Sequence, residues 1–114
     1  MKSLIPSIFL ILAFLLLGLI SARAEEGPLT LLKFEADWCA PCQQMKPNVR
    51  KVSAAFGSKI SVQSINIDNN QALADKYRVK GIPHIVAIKN GKVVGKVTGY
   101  QSEAALTRFV NRKL

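Results

Sequence analysis

Cysteine is nearly absent from this chain: Cys39 and Cys42 are the only two in 114 residues. No second pair exists to staple loops, which excludes a fold framed by several disulfides. A bridge between these two would close a very short loop and remove little unfolded-state entropy, so it suits chemistry better than stapling. Histidine occurs once, as His84, and no further metal-type cluster accompanies it. Acidic residues are also scarce, seven against sixteen lysines and arginines, for a formal charge of +9. The cations nevertheless form no basic run. They are dispersed as Lys76, Arg78 and Lys80, then Lys89, Lys92 and Lys96, then Arg108, Arg112 and Lys113. This spacing argues against a nucleic-acid partner or an anionic-membrane surface and for an ordinary solvated exterior. Internal repeats and low-complexity tracts are absent, and 114 residues suffice for one small domain.

A long apolar run is present in one place only. Lys2 gives a positive start, Ile8 to Ile20 is unbroken, and Ser21-Ala22-Arg23-Ala24 sets small residues in an A-x-A pattern. That order predicts a secretory signal over residues 1–24, cleaved between Ala24 and Glu25, ahead of a domain spanning 25–114. The 13 residues from Ile8 to Ile20 fall short of a bilayer span. Counting from Leu4 and Ile5 lengthens the run, so an uncleaved anchor over residues 4–20 is the alternative. Without a cysteine near the cleavage point, a lipid-anchored form has no attachment site. The remaining domain carries 14 basic and 7 acidic residues, or +7. Export implies an oxidising compartment, with a bacterial periplasm as the best fit and secretion as the alternative.

Periodicity then orders the domain. Leu29 to Ala36 reads as a strand, and Asp37 to Cys42 as a turn. A helix follows to about Phe56, with Met45, Val49, Val52 and Phe56 on one stripe and Gly57 as its stop. Ile60 to Ile67 alternates as a strand does. Asp68-Asn69-Asn70 is expected to cap a helix carrying Ala72, Leu73 and Tyr77. Ile85–Lys89 and Val93–Thr98 flank Asn90-Gly91, a strong hairpin signal. Ser102 opens a last helix with Leu106, Phe109 and Val110 on one face. The result is α/β: a β-α-β-α-β-β-α mixed sheet with helices on both faces, its first two strands parallel through a right-handed crossover.

A C-x-x-C between a strand and a helix has a physical rationale. The nucleophile must be a thiolate, and a helix N-terminus offers Cys39 unpaired N–H groups and the positive end of the dipole. Cys42 lies one turn along, placed to attack a mixed disulfide on Cys39. Pro41 sits near the first helical position, where its missing N–H costs nothing. Trp38-Cys39-Ala40-Pro41-Cys42 resembles the W-C-G/A-P-C active site of thioredoxins. Phe34, Ala36, Pro47, Asn66-Ile67-Asp68, Tyr77, Gly81-Ile82-Pro83, Lys89-Asn90-Gly91 and Gly99 extend the likeness from Leu29 to the C-terminus.

The resemblance implies a thioredoxin-like fold and a redox disulfide Cys39–Cys42, with Cys39 as nucleophile and Cys42 resolving. It implies supporting roles for Trp38, Ala40, Pro41 and a cis Pro83, and a substrate rim of Trp38, Pro41, Ile82, Gly99 and Tyr100. No cofactor is expected. The expected partners are exported proteins with disulfides and a membrane thiol–disulfide electron donor, with the chain acting as a monomer. Reduction is the favoured direction, and oxidation or isomerisation uses the same residues.

Three positions depart from the family pattern. Lys33 stands where thioredoxins usually bury an aspartate, Ser64 where that aspartate's lysine partner is common, and Glu35 where an aromatic is frequent. Lys33 and Glu35 share a strand face; a more exposed strand is expected here, and the alternative is that the two pair or tune the sulfurs. His84 is expected to point along its strand; the alternative is that it approaches Cys39. In the latter place it could tune the thiolate or join Cys39 and Cys42 in a Cu(I) or Zn(II) carrier.

Overall fold

The apolar strand beginning at Leu29 lies in the interior of the architecture and carries the site at its C-terminal end. A computed structural model describes residues 27–114; the predicted signal, its cleavage point and the anchor alternative lie outside the described residues. Strand β1 (Leu29–Glu35) leads to helix α1 (Ala40–Phe56), a 3₁₀ turn (Gly57–Lys59) and strand β2 (Ile60–Asn66). Helix α2 (Gln71–Lys76), strands β3 (His84–Lys89) and β4 (Lys92–Thr98), and helix α3 (Glu103–Lys113) complete the chain. The expected order holds. The sheet runs β2-β1-β3-β4, with β1 parallel to β2 and the other pairs antiparallel.

Alternation along β1 divides the core. Leu29 and Leu31 face the α1 residues Met45, Val49 and Val52 and the α3 residues Leu106, Phe109 and Val110. Leu32 and Phe34 face the other way, against Ile65, Val86 and Ala74 of α2. Helices therefore cover both faces, α1 with α3 on one and α2 on the other. Both clusters draw on strand residues two apart, as a pleated strand buried on both sides requires.

The turns are set locally. Asn90 and Gly91 have φ of 52° and 76°, both left-handed, which matches the twist of the β3–β4 hairpin. Ser102 caps α3 by accepting a hydrogen bond from the Ala105 N–H at 3.1 Å. The Asp68-Asn69-Asn70 run behaves differently from the expectation. Asn70 occupies the N-cap of α2 without a side-chain cap; its Nδ2 donates to the Asn66 carbonyl at 2.9 Å. The Asn66 Oδ1 in turn accepts from the Asp68 N–H at 2.9 Å. These amides thus close the turn leaving β2, because local side-chain-to-backbone bonds compete with capping. Among the described residues no helix is long and apolar enough to cross a membrane.

Candidate active site

Where β1 ends, the chain turns through Ala36, Asp37 and Trp38, and the Cys39 N–H donates back to the Ala36 carbonyl at 3.2 Å. Cys39 is the N-cap of α1, with extended backbone, and Pro41 sits in the first turn. Its Sγ takes the place that a capping oxygen would fill, accepting the Cys42 N–H at 3.2 Å. No acidic side chain in the first turn offsets the positive end of the helix. Cys39 and Cys42 are joined as a disulfide with Cα atoms 5.2 Å apart. Both are buried against Ala36, Ile67 and Ile82. Once the bond opens, the same donor and dipole favour a thiolate on Cys39.

Around the disulfide lies a largely open rim. Trp38 is 68% exposed, and its indole Nε1–H donates to Asp68 Oδ2 at 3.0 Å. Ala40 and Pro41 are exposed. The Ile82–Pro83 peptide is cis, with Ile82 half-buried beside the cysteines. The Pro83 carbonyl accepts the Gly99 N–H at 2.7 Å, tying the end of β4 to this loop. Gly99 has φ +90°, a backbone conformation that a side chain would strain. The exposed Tyr100 hydroxyl accepts from Asn48 Nδ2 at 3.0 Å, and the same amide donates to the Gln101 carbonyl. Trp38, Ile67, Val79, Gly81 and Ile82 line a depression of roughly 180 Å³. Sequence reasoning missed Asn48 here and assigned Asp68 to a helix cap. Each acts on a partner far along the chain, so no local pattern marks them.

Beneath the first turns of α1, Lys33 and Glu35 are only 5% and 8% exposed. Lys33 Nζ lies 3.4 Å from Glu35 Oε1, and Lys46 Nζ lies 3.9 Å from Glu35 Oε2. The expectation of a more exposed strand is corrected: helix α1 covers this face, and the two side chains pair. Lys46, four residues after Cys42, joins the pair because one helical turn carries it over Glu35. The three charged residues line a groove of roughly 670 Å³ with Val49, Arg50 and Ser64, among others.

His84 sits directly opposite Phe34 in the β1–β3 register, and the two rings lie 6.3 Å apart. Strand alternation therefore places it on the face away from Lys33 and Glu35. It is 6% exposed. Nδ1 pairs with Thr98 Oγ1 at 2.7 Å, while Nε2 is buried without a hydrogen-bond partner among the described residues. Burial, and secondarily the Lys96 ammonium, hold its pKa below the usual 6.5. His84 is thus held within the sheet by Phe34 and Thr98 and does not gather with Cys39 and Cys42 into a three-ligand cluster. Among the described residues no three His, Cys, Asp or Glu side chains gather closely enough to hold a metal.

Comparison with known proteins agrees with this geometry. The thioredoxin family model matches residues 21–112. Thioredoxin from Bacillus subtilis is 36% identical over 94 residues, covering 82% of this chain and 89% of its own. The structure of a mutant thioredoxin from Halobacterium salinarum is 38% identical with a TM-score of 0.68, covering 75% of this chain and 74% of that one. The germline-specific thioredoxin Deadhead of Drosophila melanogaster superposes with a TM-score of 0.73 at 27% identity, over 83% of this chain and 88% of its own. With a disulfide-bonded C-x-x-C at the N-terminus of α1 and relatives matched along most of its length, the chain belongs to the thioredoxin family of thiol–disulfide oxidoreductases.

Proposed function

We propose that this chain is exported and reduces disulfides in exported proteins. The observation that carries the reading is the Cys42 N–H directed at Cys39 Sγ at the start of α1. In the reduced enzyme, the Cys39 thiolate attacks one sulfur of a substrate disulfide and releases the other as a thiolate. Cys42 then loses its proton to solvent and attacks Cys39 Sγ. The Cys39–Cys42 disulfide forms, and the substrate leaves fully reduced. Two electrons pass to the substrate, and a membrane thiol–disulfide carrier returns them to the enzyme. Trp38, Pro41, Ile82, Gly99 and Tyr100 form the rim that receives an extended substrate segment, supported by Ala40 and the cis Pro83. The enzyme works as a monomer without a cofactor.

The apolar run from Ile8 to Ile20 and the A-x-A pattern ending at Ala24 support export, most simply to a periplasm. N-terminal sequencing of the exported protein should begin at Glu25; retention of Met1 would point to the anchored form.

Direction is tested by the reduction potential of the Cys39–Cys42 couple. A value near ~−270 mV supports reduction, whereas one near ~−120 mV assigns disulfide formation. Oxidation is the second reading because Lys33 is a buried cation in the strand leading to the site. A cation favouring the thiolate stabilises the reduced form and makes the couple more oxidising. Lys33→Met should then raise the Cys39 pKa and lower the potential; no change in either removes Lys33 from the redox chemistry. Cys42→Ser should trap substrate as a mixed disulfide on Cys39, and Cys39→Ser should trap none.

A further inference from the structure

Five of the fourteen lysines and arginines in residues 27–114 are gathered by the fold at the end of the molecule away from the disulfide. Lys59 closes the 3₁₀ turn after α1. Lys89 and Lys92 face each other across the Asn90-Gly91 turn, and Arg112 and Lys113 end α3. Lys59, Lys89 and Leu114 line one recess with Gly27, Pro28 and Leu29, so these chain segments meet at a single pole. Spacing in sequence does not reveal this grouping, because topology sets the neighbours.

The described acidic residues stay away from that pole. Glu35 ends β1, Asp37 lies in the turn before Cys39, and Asp68 holds Trp38. Asp75 belongs to α2, and Glu103 opens α3 at the end opposite Leu114. Glu25 and Glu26 precede Gly27 in sequence, and Lys89 already has a partner of its own.

Exposed large apolar side chains divide the same way. Trp38 and Tyr100 belong to the redox rim, whereas Val93, Val94 and Leu114 lie in the hairpin and at the end of α3. The chain also enters at this pole: the Gly27 N–H donates to Asn90 Oδ1 at 3.3 Å.

The geometry points to this pole as a docking surface for anionic lipid headgroups. Lys59, Lys92 and Arg112 meet the phosphates, Val93 and Val94 enter the headgroup layer, and Cys39 with its rim faces away from the bilayer. Lipid is favoured over an acidic protein because the exposed apolar side chains of Val93, Val94 and Leu114 sit among the cations. Surface binding of this kind combines apolar burial with attraction to anionic lipid. Each lysine or arginine near such a surface contributes roughly fivefold in partitioning, so the three named cations together contribute about a hundredfold. The inference rests on charge and topology and does not depend on the direction of electron flow.

The test is amide hydrogen exchange of the full chain in phosphatidylcholine vesicles with and without about a third phosphatidylglycerol. Expected is exchange slowed at least about fivefold over the β3–β4 hairpin, the Lys59 turn and the end of α3, in the anionic vesicles only. The slowing should vanish at about 1 M salt, where the Debye length falls to ~3 Å. It should also vanish in a Lys59→Gln, Lys92→Gln, Arg112→Gln variant that still exchanges disulfides, which shows that the variant folds. Equal exchange in both vesicle types, or slowing confined to the Trp38 turn, overturns the proposal. Slowing by soluble polyglutamate without slowing by anionic vesicles also overturns it and assigns the pole to an acidic protein.

Discussion

The two faces of strand β1 each lie beside a buried ionisable group, and the fold handles the two in opposite ways. On the α1 face Lys33 stays next to Glu35, with Lys46 reaching the other carboxylate oxygen. On the α2 face His84 packs beside Phe34 with one nitrogen bonded to Thr98 and the other unpartnered. The first group is compensated by ion pairs; for the second, burial favours the neutral imidazole. The difference follows from residue type as well as position. A lysine or glutamate side chain is long enough to find a partner within the strand or on the helix above, whereas an imidazole ring is confined to what its own register places beside it.

Breaking the compensated face should have the largest effect. Glu35→Leu leaves Lys33 buried without its partner and should cost about 3–5 kcal/mol, read from chemical denaturation. A loss below about 1 kcal/mol would mean that water reaches Lys33 more freely than its burial indicates. Replacing both partners, as Lys33→Met with Glu35→Leu, removes the uncompensated charge. The double variant should fall between neutral and about 4 kcal/mol more stable than the parent. A double variant as weak as Glu35→Leu alone would show that shape, not charge, dominates this face.

The uncompensated face is sharpened by pH. Because the folded pKa of His84 is lowered from 6.5, the unfolded chain binds the proton more readily. Stability is therefore full above about 6.5 and is lost as pH falls through the folded value. Melting temperatures taken between about pH 7.5 and 5, above most carboxylate titration, should decline on acidification. In His84→Thr that decline should be shallower. Lys96→Gln should have the smallest effect, a slight rise of the His84 pKa measured by NMR titration, since burial is the larger cause. A larger rise than that produced by relieving burial would reverse the order of causes.

Much of this was legible wherever the signal was local. Met45, Val49 and Val52 identified the buried stripe of α1, Asn90-Gly91 located the hairpin, and the short spacing of Cys39 and Cys42 located the redox pair. The separation of Lys33 and Glu35 by two on a strand allowed their pairing, but their burial depends on helix α1 above them. What stayed hidden depended on register or on distant partners. The face occupied by His84 is decided by its alignment with Phe34, a strand away. Asp68 finds Trp38 across 30 residues, and Asn48 finds Tyr100 across 52. The basic pole is the same kind of result: no window of sequence contains it, because two helix ends and a hairpin build it together.

Trp38 is the chain's only tryptophan, and it adjoins the disulfide while its indole is tethered to Asp68. The protein therefore carries its own optical probe. All of its indole emission originates at the redox centre, with no second fluorophore of that kind to dilute it. Opening the disulfide, docking a substrate segment on the rim or releasing Asp68 each alters the surroundings of that one ring. Single turnovers can thus be followed in unlabelled protein, and a Trp38→Phe variant supplies the dark control.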